Sequence, residues 1–212
     1  QLDQDFCIPH KAEFKKYVEQ PLQKLCRQVA AQLPNEIIKG IELEFDASTN
    51  PHNKSYECNF YKKTSDFHLK KASLFVNLTL TEFRFGLFIV NWTDNKRRFI
   101  ENVKNNFNKE IIFQNTCLPH NCTLHFSSSS KSLDHINRLG EWLKLLARQN
   151  SRTKNIQASV HLQSNKVLLY SSEQLTTQIK QTFESLFILF LMATFDDPID
   201  EIRHYLNSNN NT

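Results

Sequence analysis

Glycine occurs three times in 212 residues, as Gly40, Gly86 and Gly140. A chain that wraps a phosphate needs clustered glycines, so neither a Walker A loop nor a dinucleotide fingerprint fits here. The length matches one full domain, able to bury a core without a disulfide or metal staple. The one methionine is Met192, and the expectation is a fragment or a processed product.

Apolar periodicity lays out the elements. Phe14, Val18, Leu22, Leu25, Val29 and Leu33 recur every three to four residues, which predicts an amphipathic helix over 11–33. Pro21 inside it implies a kink, or two helices with Pro in the first turn of the second. Residues 37–46 and 55–61 alternate like half-buried strands. Residues 72–80 and 84–91 form a predicted hairpin around Thr81 and Glu82, completing a meander of about four antiparallel strands.

Asp94 caps a predicted helix over 95–108. Two short strands are expected near 110–115 and 122–127, then a loop of serines at 127–130 and a helix over 133–147. A hairpin is predicted from strands 156–162 and 166–170, with Asn165 in the turn. Ser172 caps a long helix to Thr194, and Pro198 opens a last one over 199–206. The class is therefore α+β, a mostly antiparallel sheet with about five helices. Residues 1–206 read as one module and 207–212, rich in Asn, as a linker. The apolar run from Leu186 to Phe195 is too short to span a bilayer, so no membrane contact is expected.

The net charge is +4, short of the footprint of a strong nucleic-acid binder. The distribution matters more. Segments 61–71 and 95–109 are rich in Lys and Arg, whereas 192–201 is acidic. The cysteines are Cys7, Cys26, Cys58, Cys117 and Cys122, an odd count that favours reduced thiols and a cytoplasmic location. Sequons at Asn53, Asn77, Asn91 and Asn121 are read as chance in an Asn-rich chain, Asn77 falling inside a predicted strand.

Each chemical constellation has a plainer structural reading. Cys117, His120 and Cys122 are metal-like, but a structural zinc site wants four ligands and His125 is poorly aimed to be the fourth. Glu42, Glu44 and Asp46 alternate along a strand, yet the next strand lacks the lysine a metal-dependent nuclease would use. Asp196, Asp197, Asp200 and Glu201 surround a helix start, where acids offset the dipole. Cys26 sits on an apolar helix face as a core thiol. No Gly-x-Ser-x-Gly elbow exists, and the remaining histidines lack ligand spacing. No catalytic residue, metal or cofactor is expected.

The basic and aromatic stretch carries the functional reading. Lys62, Lys63, Lys70 and Lys71, with Lys96, Arg97 and Arg98, are the candidate phosphate contacts. Tyr56, Tyr61 and Trp92 are the candidates for stacking on an unpaired or flipped base. The competing reading is a solvated basic face over a core of aromatics.

Three stretches together resemble a known family. They are Phe14-x-x-Tyr17 with Pro21-Leu22-x-x-Leu25; Tyr56-x-x-Asn59-Phe60-Tyr61 with Leu74-Phe75-Val76, Phe85-Gly86 and Arg98-Phe99; and Gln178-Ile179-x-x-Thr182-Phe183-x-x-Leu186-Phe187 with Ala193-Thr194-x-Asp196-Asp197-Pro198. Their layout resembles the domains that precede the motor in McrB-type AAA+ NTPases of modification-dependent restriction systems. The resemblance implies a non-catalytic module that reads double-stranded DNA, often through a modified base. It also implies a downstream GTPase or ATPase motor and a nuclease subunit as partners. The base-contacting residues are not carried over from the family. The alternative is an interaction or assembly module of a multidomain ATPase, without nucleic-acid contact, using an apolar surface on the last helices.

Overall fold

The computed structural model describes residues 11–39, 41–46, 55–62, 72–79, 81–90, 94–106, 112, 116, 118–119, 121–128, 131–136, 139–148 and 155–209. The chain opens with α1 (Lys11–Phe14), a π-helical turn (Lys15–Glu19) and α2 (Gln20–Gln32). The Gln20 N–H reaches back five residues to the Lys15 carbonyl. The helical path thus widens just before Pro21, which has no N–H to give, rather than breaking.

A short helix, α3 (Asn35–Ile38), follows Pro34 and replaces the first part of the strand expected from residue 37. The Pro34 carbonyl accepts from both Ile37 and Ile38 N–H, closing a turn before the strand begins. Then come β1 (Ile41–Asp46), β2 (Ser55–Lys62), β3 (Ala72–Thr79) and β4 (Glu82–Ile89), the expected meander. The Thr79 hydroxyl pins the β3–β4 turn by accepting from the Thr81 and Glu82 N–H groups.

The second half holds α4 (Asp94–Asn106), β5 (Cys122–Ser128), β6 (Lys131–Ile136) and α5 (Leu139–Ala147). It continues with β7 (Ile156–Gln163), α6 (Ser164–Val167), α7 (Ser172–Thr194) and α8 (Pro198–Asn209). Two expectations change. Ser127 and Ser128, read as the start of a loop, extend β5, and residues 133–136, read as a helix start, pair with it in β6. Residues 164–167 are a helical turn, not a hairpin's return strand, and Leu168 and Leu169 are 85% and 82% exposed. The strand expected near 110–115 lies mostly outside the described residues. The last helix runs to Asn209, into the tail read as a linker.

One seven-stranded sheet results, in the order β1-β2-β3-β4-β7-β5-β6, with every pair antiparallel. The architecture is α+β. β7 inserts against β4, and Gly86 permits the approach. A Cβ there would lie 2.1 Å from the Ala158 carbonyl oxygen, so any other residue would push the strands apart.

Alternation gives the sheet two unlike faces. Tyr56, Cys58 and Phe60, with Leu74, Val76, Phe83, Phe85, Leu87 and Ile89, face the helices and are buried. Phe60 meets Phe183 of α7 edge-on at 5.0 Å. The other face carries Glu57, Asn59, Asn77, Arg84, Gln157, Ser159 and His161. Among the described residues no helix is long and apolar enough to cross a membrane.

Candidate functional site

Among the described residues, the basic side chains predicted to hold phosphates, Lys62, Lys96, Arg97 and Arg98, do not form one open stripe. Lys63, Lys70, Lys71 and Trp92 lie outside the described residues. Lys96 is only 6% exposed, and burial holds its ammonium below the usual lysine range. It faces inward because the buried side of α4 is wider than Phe99, Ile100 and Val103 alone. Arg97 is exposed and lies 3.4 Å from Asp94, one turn earlier on the same helix. Arg98 Nε lies 2.6 Å from Asp196 Oδ1.

Lys62 has a more specific place. It ends β2 on the helix-facing side, beneath the C-terminus of α7. Its Nζ stands 3.4 Å from the centroid of the Phe195 ring and donates to the Thr194 carbonyl at 3.5 Å. Burial lowers its pKa most, Glu201 raises it, Arg98 lowers it and Asp196 raises it. Lys62 and Arg98 therefore meet carbonyls and acids of the same molecule.

Lys62 belongs to a larger arrangement. The last carbonyls of a helix have no partner within the helix. At the end of α7, Leu191 O accepts from Phe195 N–H. Asn102 Nδ2 donates to Met192 O and Phe195 O, both at 2.8 Å. Asn95 Nδ2 donates to Ala193 O at 3.1 Å. Side chains of α4 and β2 thus close a helix end that has no glycine cap of its own.

The stacking candidates separate. Tyr56 is 2% exposed, its ring edge-on to Phe14 at 6.1 Å and its hydroxyl accepting from Gln23 Nε2. It is a core residue engaged by Phe14 and Gln23 and does not line the aromatic pocket described below, which corrects the expectation. Tyr61 is half-buried and, by alternation, on the opposite side of β2 from Lys62.

A different aromatic pocket lies beside Lys62. It has a volume of about 240 Å³, with Phe187, Phe190, Phe195 and Tyr205 as walls. Glu36, Lys39, Lys62, Glu201 and His204 supply polar groups around it. Phe187 stacks on Phe190 at 5.7 Å and meets Tyr205 at 4.8 Å. Sequence reasoning missed these rings because helical spacing marks them as core. The available signal was Phe195, an aromatic just past the helix end, followed by acids and a proline.

The polar sheet face carries a second unforeseen arrangement. Asn77 donates to Glu57, and Arg84 donates to Asn77. Glu82 lies 3.5 Å from His161 Nδ1, and His161 Nε2 is 2.9 Å from Ser159 Oγ. Serine, imidazole and carboxylate stand in the order that activates a nucleophile. However, Ser159 is 1% exposed and its oxygen also accepts from Gln157 at 2.7 Å. The serine is thus the buried end of a polar chain whose other members, His161 and Glu82, reach the surface.

The metal-like cluster is only partly described, since Cys117 and His120 lie outside the described residues. Cys122 is buried in β5, and burial pushes its thiol up to about 12. Among the described residues no group of three or more His, Cys, Asp or Glu is placed to hold a metal. Compared with known proteins, the chain matches no family model and no curated sequence.

Proposed function

We propose that this chain is a DNA-binding specificity module of a cytoplasmic restriction or defence NTPase. The aromatic pocket at the end of α7 takes one flat base, with preference for a modified one. The pocket itself carries the reading: four aromatic side chains wall it, and cations and carboxylates stand at its mouth. Aromatic faces stack on any base, while polar groups of both kinds read the edge of an extruded one.

Lys39 and His204 are exposed at the pocket, and Arg97 is exposed on α4. Lys63, Lys70 and Lys71 follow Lys62 in sequence and supply further positive charge for a phosphate backbone. The module binds and does not catalyse. Its downstream motor and nuclease partners rest on the resemblance to McrB-type proteins.

The experiment is fluorescence anisotropy with duplex DNA, unmodified or carrying a modified cytosine or adenine, at two salt concentrations. Binding should weaken steeply with salt and be tighter for one modified duplex. Absence of binding at low salt overturns the reading. A second reading, an assembly module, is favoured by Leu168 and Leu169, which stand exposed after α6. The apolar run on α7 does not serve it, because Leu186–Thr194 is buried throughout.

A further inference from the structure

The packing of α2 on β2 is marked by one polar contact. Gln23 Nε2 donates to the Tyr56 hydroxyl at 2.8 Å. About one turn further along the helix stands Cys26. Two residues further along the strand, on the same face, stands Cys58. Both side chains are completely buried, and the two thiols are neighbours in the core. Both are free thiols in this structure.

We propose that Cys26 and Cys58 are a disulfide-forming pair that, under oxidising conditions, clamps the first long helix to the sheet. A disulfide needs sulfurs about 2.05 Å apart and Cα atoms within roughly 7 Å. Cys26 and Cys58 face each other across a helix–strand interface, one helical turn and two strand residues from the 2.8 Å contact of Gln23 with Tyr56, which brings the two side chains to the same place. The third described cysteine is no competitor. Cys122 lies on β5, with β3, β4 and β7 between it and β2, a separation of roughly 19 Å at about 4.8 Å per strand.

The chemistry balances with a small-molecule disulfide as oxidant. One cysteine, as thiolate, attacks the oxidant's disulfide and expels one thiolate, leaving a mixed disulfide. The second then attacks the protein sulfur of that bond and expels the other half of the oxidant. The protein loses two protons and two electrons, and the oxidant becomes two thiols. The neighbouring Cys26 thiol, and then burial, push the Cys58 thiol well above its ordinary range. Exchange therefore proceeds before α2 docks or when it lifts from β2. Once closed, the sulfurs are out of reach of reductant. The bridged stretch 27–57 includes β1, the edge strand on that side, so the clamp also restrains the sheet edge. In a reducing compartment the pair stays a dithiol.

The test is to refold the full chain in oxidised glutathione, alkylate the remaining thiols, digest, and map linked peptides by mass spectrometry. The expected product joins Cys26 to Cys58. The oxidised chain should melt roughly 10 °C above the reduced one. Cys26→Ala or Cys58→Ala should abolish that difference, whereas Cys122→Ala should keep it. If the single variants do not fold, the wild-type peptide map decides. Alkylation of both cysteines after refolding in oxidant, linkage of either to Cys7, Cys117 or Cys122, or equal melting temperatures would overturn the proposal.

Discussion

The two ends of α7 are closed in opposite ways. At the N-terminus the helix uses its neighbours in sequence. Ser171 Oγ accepts from the Gln174 N–H at 3.2 Å, and Gln174 Oε1 accepts from the Ser171 N–H at 2.8 Å. This is a capping box, complete within four residues. At the C-terminus the partners come from far away in the chain: Asn95 and Asn102 from α4, Lys62 from β2. The first device needs only local geometry. The second exists only after α4 and β2 have packed beneath the helix. The aromatic pocket forms at this second end, so its shape depends on long-range packing.

The sharpest way to break the comparison is Asn102→Ala. It strands two carbonyls, one of them deeply buried, and should lower stability by about 3 kcal/mol in urea unfolding. Lys62→Met removes both the contacts to Phe195 and the Thr194 carbonyl and a charge that burial disfavours, so stability at neutral pH should change by no more than about 1 kcal/mol. Its pH dependence sharpens the contrast. The folded-state pKa of Lys62 is lowered, so the unfolded chain binds more protons between that value and the unfolded one. Stability of the wild type should therefore rise, relative to Lys62→Met, as pH climbs through that window toward 10.5.

Ser171→Ala should cost about 1 kcal/mol, but with no such pH dependence. The helix is about 34 Å long, so Ser171→Ala and Asn102→Ala should add within about 0.5 kcal/mol. The smallest effect is expected for Arg97→Glu. Its surface pair with Asp94 contributes little, and stability should change by less than about 0.5 kcal/mol. Its effect should appear instead in DNA affinity, reduced for every sequence alike with a shallower salt slope.

The same contrast explains what could be read from residues alone. β2 alternates cleanly, β3 and β4 do so apart from Phe75 and Phe88, which meet on the other face, and the β3–β4 turn is two residues long, so period and punctuation agree. The α7 cap was legible to within one residue, at Ser171 rather than Ser172. β6 was not, because Leu133, Ile136 and Leu139 also fit a helix, and only pairing with β5 decides. Residues 166–170 are strand-prone by composition, yet they turn away after β7 and leave Leu168 and Leu169 exposed. The insertion of β7 beside β4 depends on Gly86 meeting Ala158, a contact across distant sequence.

For the site, Lys62 and Arg98 were read as phosphate contacts, and each instead has a partner within the molecule. Their acceptors, Thr194 O and Asp196, were not foreseen, since a helix end that borrows its cap looks in sequence like unclaimed positive charge. Asn95 and Asn102 looked like polar surface for the same reason. Phe187, Phe190 and Tyr205 looked like core because they are buried even where they line the pocket.

The most direct measurement compares two duplexes differing by a single modified base, titrated by anisotropy against wild type and His204→Ala. The account predicts that wild type prefers the modified duplex by tenfold or more, about 1.4 kcal/mol or above. His204→Ala should lose most of that preference while holding the unmodified duplex with unchanged affinity. Equal wild-type affinity for every modified and unmodified pair, or an equal loss on both duplexes in the variant, would contradict a base-reading pocket at the end of α7.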